Sequence, residues 1–153
     1  MNDIAIGCDP NAADLKNIIK AYLAELGYSC ADYGSVDPIY ANVAIEVCQA
    51  VVAGKHKRGI LICGTGIGMS IAANKVPGAY AALVSDTYSA ERASKSNNAN
   101  IITIGSLVTG SALAKELVAT WMRSEYTPGG PSEPKVQRIR DMDGALTAAP
   151  GRS

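Results

Sequence analysis

Residues 60–68 read Ile60-Leu61-Ile62-Cys63-Gly64-Thr65-Gly66-Ile67-Gly68. The aliphatic run follows a charged stretch and ends in glycines, which predicts a central strand over 58–63, buried on both faces. Three alternating glycines then let the backbone turn tightly and expose N–H groups ahead of a helix running toward Asn74. A strand that feeds a helix through such a turn belongs to a sheet of βαβ units, with parallel strands and helices on both faces.

The same alternation extends in both directions. Further strands are predicted at 3–8, 29–33, 79–84 and 101–104. Helices are predicted at 11–26, 40–52, 87–96 and 111–123, with a short one at 135–142. Leu15, Ile18, Ile19, Tyr22, Leu23 and Leu26 recur at helical spacing, and Gly27 suits the stop. The expected fold is α/β: a three-layer αβα sandwich around a five-stranded parallel, Rossmann-like sheet. One domain spans 1–146, including the C-terminal helix, and 147–153 is a frayed tail.

Composition narrows the function. Lys and Arg total 14 of 153 residues and so do Asp and Glu. A balanced charge argues against a dedicated nucleic-acid binder, which draws its affinity from phosphate neutralisation. Hydrophobic residues at 48% against 18% charged exclude general disorder. No apolar stretch approaches the roughly 20 residues needed to span a bilayer, and Met1-Asn2-Asp3 opens no export signal. The four cysteines show no Cys-x-x-Cys spacing and there is one His, so they read as reduced thiols rather than a disulfide frame or zinc site. A cytoplasmic protein with no metal and no cofactor is expected. His56, between two lysines, is expected on a surface turn without a role. Cys30 and Cys48 read as packing.

Parallel sheets bind ligands beyond the carboxyl ends of their strands. That rule directs attention to Asp9, to the turn after Cys63, and to Asp86. Backbone N–H groups of Gly64, Gly66, Ile67 and Gly68, at a helix start, suit an anion beside the Cys63 sulfur. A dinucleotide fingerprint competes, but Met69 stands where a third glycine is needed. No Gly-Lys-Ser/Thr supports a P-loop. A plain glycine turn with Cys63 as a small hydrophobe also fits. Asp9 either caps the first helix or bonds substrate hydroxyls. Asn97, Asn98 and Asn100 either satisfy a turn or contact a polar ligand. Lys135, Arg138 and Arg140 either hold a phosphate or form a solvated helix face.

Taken together, Ile6-Gly7-Cys8-Asp9, the stretch from Gly59 to Gly68, Ile71-Ala72-Ala73-Asn74-Lys75, Tyr88-Ser89-Ala90 and Asn97 resemble the ribose 5-phosphate isomerase B family, which includes galactose 6-phosphate isomerase subunits. The resemblance runs from the first strand to about Arg140. It implies a cofactor-independent aldose–ketose isomerisation through a cis-enediolate. The family's matching cysteine is the base, which assigns that role to Cys63. A branch with a glutamate six residues later is set aside, because Met69 is there. The resemblance further implies enediolate-binding N–H groups from Gly64 through Gly68 and proton relay by Thr65. Asp9, Asn97 and Tyr40 would contact the substrate. A homodimer or tetramer with sites shared between subunits is expected.

Departures from the family pattern point to the substrate. Pro10 and Ser96 replace two histidines, the second of which is assigned to sugar-ring opening. Pro131 and Lys135 align with two phosphate-binding arginines, with Arg138 close by. A tetrose 4-phosphate has its 4-hydroxyl esterified and cannot close a five-membered ring, so it needs no ring opening. The stretches 86–93 and 96–99 resemble the erythritol-catabolism branch. The expectation is therefore conversion of D-erythrulose 4-phosphate to D-erythrose 4-phosphate. Isomerisation of ribose 5-phosphate or another aldose phosphate is the alternative within the class. A non-catalytic subunit binding nucleotide or sugar phosphate is the alternative outside it.

Overall fold

The structure, a computed structural model, describes residues 3–144. Five strands form one parallel sheet: β1 (Ile4–Cys8), β2 (Cys30–Asp32), β3 (Arg58–Cys63), β4 (Ala81–Leu83) and β5 (Ile101–Gly105), in the order β2-β1-β3-β5-β4. The 58–63 strand is central, as its unbroken apolar run requires. Its register sets Cys63 opposite Gly105 and Ile62 opposite Cys8.

Strand alternation divides the core into two layers. Ile4, Ile6, Ile60, Ile62, Ile102 and Ile104 face one side, packing on α1 (Ala13–Glu25), α4 (Thr87–Lys95) and α5 (Ser111–Arg123). Ala5, Leu61, Cys63 and Ile101 face the other, against α2 (Tyr40–Val52) and α3 (Ile67–Ala73). These are the expected three layers. Asp9 and Pro10 open a short 3-10 turn, so the first helix begins at Ala13 rather than at 11. Asp86 accepts a hydrogen bond from the Ser89 N–H at 2.7 Å and caps α4.

The last helix, α6 (Glu133–Asp141), inserts Val136 and lies near the β4 edge. Asp143, just beyond it, accepts from the Gly78 N–H at 3.0 Å and the Tyr80 hydroxyl at 2.5 Å. The expected tail at 147–153 lies outside the described residues. His56 is not on the surface: it is buried, and its Nε2 shares a 2.8 Å hydrogen bond with the Tyr33 hydroxyl. Local charge predicted exposure, but Tyr33, 23 residues away, supplies a polar partner that lets the ring stay inside.

Candidate active site

The glycine turn sits at the carboxyl edge of the sheet, on the α2–α3 side. The Gly66 N–H donates to Cys63 Sγ at 3.1 Å. Gly66 adopts φ +80°, a left-handed conformation, and a side chain there would collide with Leu83. The Ile67 N–H donates to Thr65 Oγ1 at 3.3 Å. The N–H groups of Gly64, Thr65, Gly68 and Met69 meet no acceptor among the described residues. A sulfur, a hydroxyl and several unpaired donors thus share one turn, an arrangement suited to oxygens that gain negative charge.

Residues distant in sequence complete this edge. Asp9 reaches it because its N–H donates to the Ile62 carbonyl at 2.9 Å, continuing the β1–β3 ladder. Its Oδ1 accepts from the Asn11 N–H at 2.7 Å, so it caps the turn after β1, while Oδ2 has no partner among the described residues. Capping therefore leaves half of this carboxylate available. Tyr40 starts α2 and lays its hydroxyl over Gly68, where any side chain would strike it. Leu107 and Val108, which follow β5, are 80% and 67% exposed beside the turn, with the Leu107 N–H bonded to the Gly64 carbonyl.

The other cysteines serve differently. Cys8 faces the opposite layer, and burial pushes its thiol up to about 11. Burial pushes the Cys48 thiol up to about 12. Both remain protonated packing groups at neutral pH. Cys30 is half-buried, and burial also raises its pKa.

Within one chain, the structure unites Cys63, Thr65, Gly64, Gly66, Ile67, Gly68, Tyr40 and Asp9. It does not bring Asn97, Lys135 or Arg138 to them. Asn97 lies between α4 and the start of β5, at the amino edge of the parallel sheet. There it lines a cavity of about 280 Å³ with Asn74, Tyr80, Val136, Ile139 and Arg140. Asn98 takes φ +51° to end α4, and Asn100 bonds the Tyr80 N–H and the Gly78 carbonyl. Of the three asparagines, two serve turns and Asn97 alone faces this cavity. Lys135 and Arg138 are exposed on α6, and Arg140 instead lines the cavity beside Asn97. No group of three or more His, Cys, Asp or Glu suited to a metal occurs among the described residues. None of their helices is long and apolar enough to cross a membrane.

Sequence reasoning missed Thr103 and Gly105. The Thr103 hydroxyl donates to the Gly66 carbonyl at 2.8 Å. A Cβ on Gly105 would fall 2.6 Å from the Thr65 carbonyl carbon. The available signal for Thr103 was a single hydroxyl in the run Ile101-Ile102-Thr103-Ile104.

A model of the ribose/galactose isomerase family matches residues 4–139. The chain belongs to that family. This family member is 52% identical over 143 residues to the D-erythrulose-4-phosphate isomerase of Pectobacterium atrosepticum, covering 91% of this chain and 93% of that one. It is 46% identical to the ribose-5-P isomerase B of Listeria innocua, covering 92% and 96%. The solved ribose-5-phosphate isomerase B of Clostridium thermocellum superposes with a TM-score of 0.88 at 38% identity, covering 94% of this chain and 98% of that one. This ribose/galactose isomerase family member is an enzyme of the aldose–ketose isomerase class.

Proposed function

We propose that the protein interconverts D-erythrulose 4-phosphate and D-erythrose 4-phosphate, with Cys63 as the base. The observation that carries the reading is Cys63 Sγ at the carboxyl edge, bonded to the Gly66 N–H and bordered by donors without acceptors. The thiolate removes a proton from C1 of the ketose, and the electron pair moves through C1–C2 onto the carbonyl oxygen. The resulting cis-enediolate lies against the N–H groups of Gly64 to Gly68. Thr65 carries a proton between the two oxygens. The Cys63 thiol then returns its proton to C2, giving the aldose and restoring the thiolate. No atom is gained or lost. Asp9 and Tyr40 orient the hydroxyls.

The absent ring-opening histidine supports a four-carbon substrate. Ser96 occupies that place, and a C4 phosphate ester leaves no 4-hydroxyl to close a furanose. The 52% identity to a protein named for that tetrulose phosphate supports the same choice. The ribose 5-phosphate alternative draws on the 46% identical relative.

The phosphate is held in trans in this reading. Asn97 and the basic face of α6 lie at the amino edge of their own sheet and reach Cys63 only from a second copy. Exposed Leu107, Val108, Ile67 and Ile71 on and beside the turn give such a copy apolar surface to cover. A charged sugar phosphate is retained inside cells, which supports a cytoplasmic location for the enzyme.

A coupled assay with erythrulose 4-phosphate, ribose 5-phosphate and allose 6-phosphate tests the substrate. The tetrulose should give the highest kcat/KM, and a clear preference for ribose 5-phosphate overturns the choice. Cys63→Ala should lower kcat about 100- to 10,000-fold, the usual range for a lost general base, with the fold intact. Full turnover in that variant removes Cys63 as the base.

A further inference from the structure

We infer that Thr103 is a positioning residue: its hydroxyl sets the Gly66–Ile67 peptide and, through it, the donors around Cys63. The inference rests on the proposed reading of Cys63. Thr103 is fully buried in the middle of β5, aligned with Leu61 on one side and Leu83 on the other. Its strand neighbours Ile101, Ile102 and Ile104 are equally buried and wholly aliphatic. A buried hydroxyl is unfavourable unless bonded, and Val fills the same volume without that penalty. The hydroxyl therefore needs a use, and it has one: Thr103 Oγ1 donates to the Gly66 carbonyl at 2.8 Å.

That carbonyl belongs to the peptide whose N–H, on Ile67, donates to Thr65 Oγ1 at 3.3 Å. The preceding peptide presents the Gly66 N–H to Cys63 Sγ at 3.1 Å. Gly66, at φ +80°, joins the two and has no side chain to hold it. A glycine in this conformation has wide backbone freedom, so an external tether restricts it. Thr103 is that tether on the sheet side. The Ser70 N–H also donates to the Gly66 carbonyl, at 3.1 Å. Removing the hydroxyl therefore leaves this oxygen with a partner and α3 with its first turn. The loss falls on the aim of the turn rather than on the fold.

The test compares Thr103→Val, Thr103→Ser and Thr103→Ala by kcat, KM, melting temperature and the rate of Cys63 alkylation by iodoacetamide, read by peptide mass spectrometry across pH. Thr103→Val should lower kcat about 10- to 100-fold with KM little changed, the size of effect that small misplacements produce. It should also move the pH profile of Cys63 alkylation. Thr103→Ser, which keeps the donor, should restore both. If Val does not fold, Ser against Ala makes the comparison, since both lack the methyl group and differ in the hydroxyl. Equal kcat in the variants with and without the donor overturns the inference, as does an unchanged alkylation profile. A dead Cys63→Ala with a fully active Thr103→Val defeats this inference alone. A fully active Cys63→Ala defeats the reading of the site and this inference with it.

Discussion

Asp32 shows how one residue ties sheet to helix. Its carboxylate accepts from Lys16 Nζ at 2.8 Å, from Lys20 Nζ at 2.7 Å and from the Gly34 N–H at 2.8 Å. The first two bonds pin β2 to α1, and the Lys16 side chain is almost wholly enclosed. Burial alone would raise the Asp32 pKa, but the hydrogen bonds from Lys16, Lys20 and Gly34 outweigh it and hold the carboxyl down at about 2. A carboxylate in the unfolded chain titrates near 4. The folded value is the lower one, so the stabilisation is complete above about pH 4 and fades as pH falls toward about 2. Asp32→Asn should melt below the parent protein at pH 7, and the gap should close as pH drops through that window. A gap that stays constant down to pH 2 contradicts the assignment.

At the scale of elements, close approach is set by glycines, and the sheet shows two kinds. On Gly59, a Cβ would fall 2.6 Å from Ile101 Cδ1 and 2.9 Å from Val47 Cγ1, both ends of side chains that can shift. On Gly105, it would meet the backbone of Thr65 at 2.6–2.7 Å, which cannot swing aside. Gly59→Ala should lower stability by about 1–3 kcal/mol through overpacking between β3 and α2 while kcat stays near the parent value. Gly105→Ala should push the Gly64–Gly68 turn, the proposed catalytic one, off β5 and lower kcat at least tenfold, with a similar stability cost. Melting curves and steady-state kinetics on both variants check this. Equal kcat in the two would show that β5 does not template the turn.

For the whole molecule, the parallel sheet sets the two halves of the proposed site at opposite edges. Cys63 ends β3 and Asn97 precedes β5, so one chain cannot close the proposed site on itself. A symmetric dimer gives two composite sites, each drawing Cys63 from one copy and Asn97 from the other. Cys63→Ala and Asn97→Ala chains should each have little activity alone. Unfolded together and refolded at equal amounts, they should recover about a quarter of parental activity, since half the dimers are mixed and each mixed dimer has one intact site. No recovery in verified mixed dimers overturns the shared site, and full activity of the Asn97→Ala chain alone places Asn97 outside it.

Sequence alone determined the layer order, the central strand and the glycine turn that follows it, because the spacing of apolar residues states which faces are buried and the glycines mark where backbone must bend. It also carried the family, through the block around Cys63. The tertiary structure decided what depends on contact between distant segments. It drew Asp9 and Tyr40 to the turn through the β1–β3 ladder and the start of α2. It sent Asn97 to the far edge, turned Asn98 and Asn100 into turn residues, and enclosed His56 against Tyr33. It also gave the lone hydroxyl of β5 its partner. Periodicity encodes burial along one segment, whereas hydrogen bonds across 37 residues, such as Thr103 to Gly66, exist only after the strands have found their register.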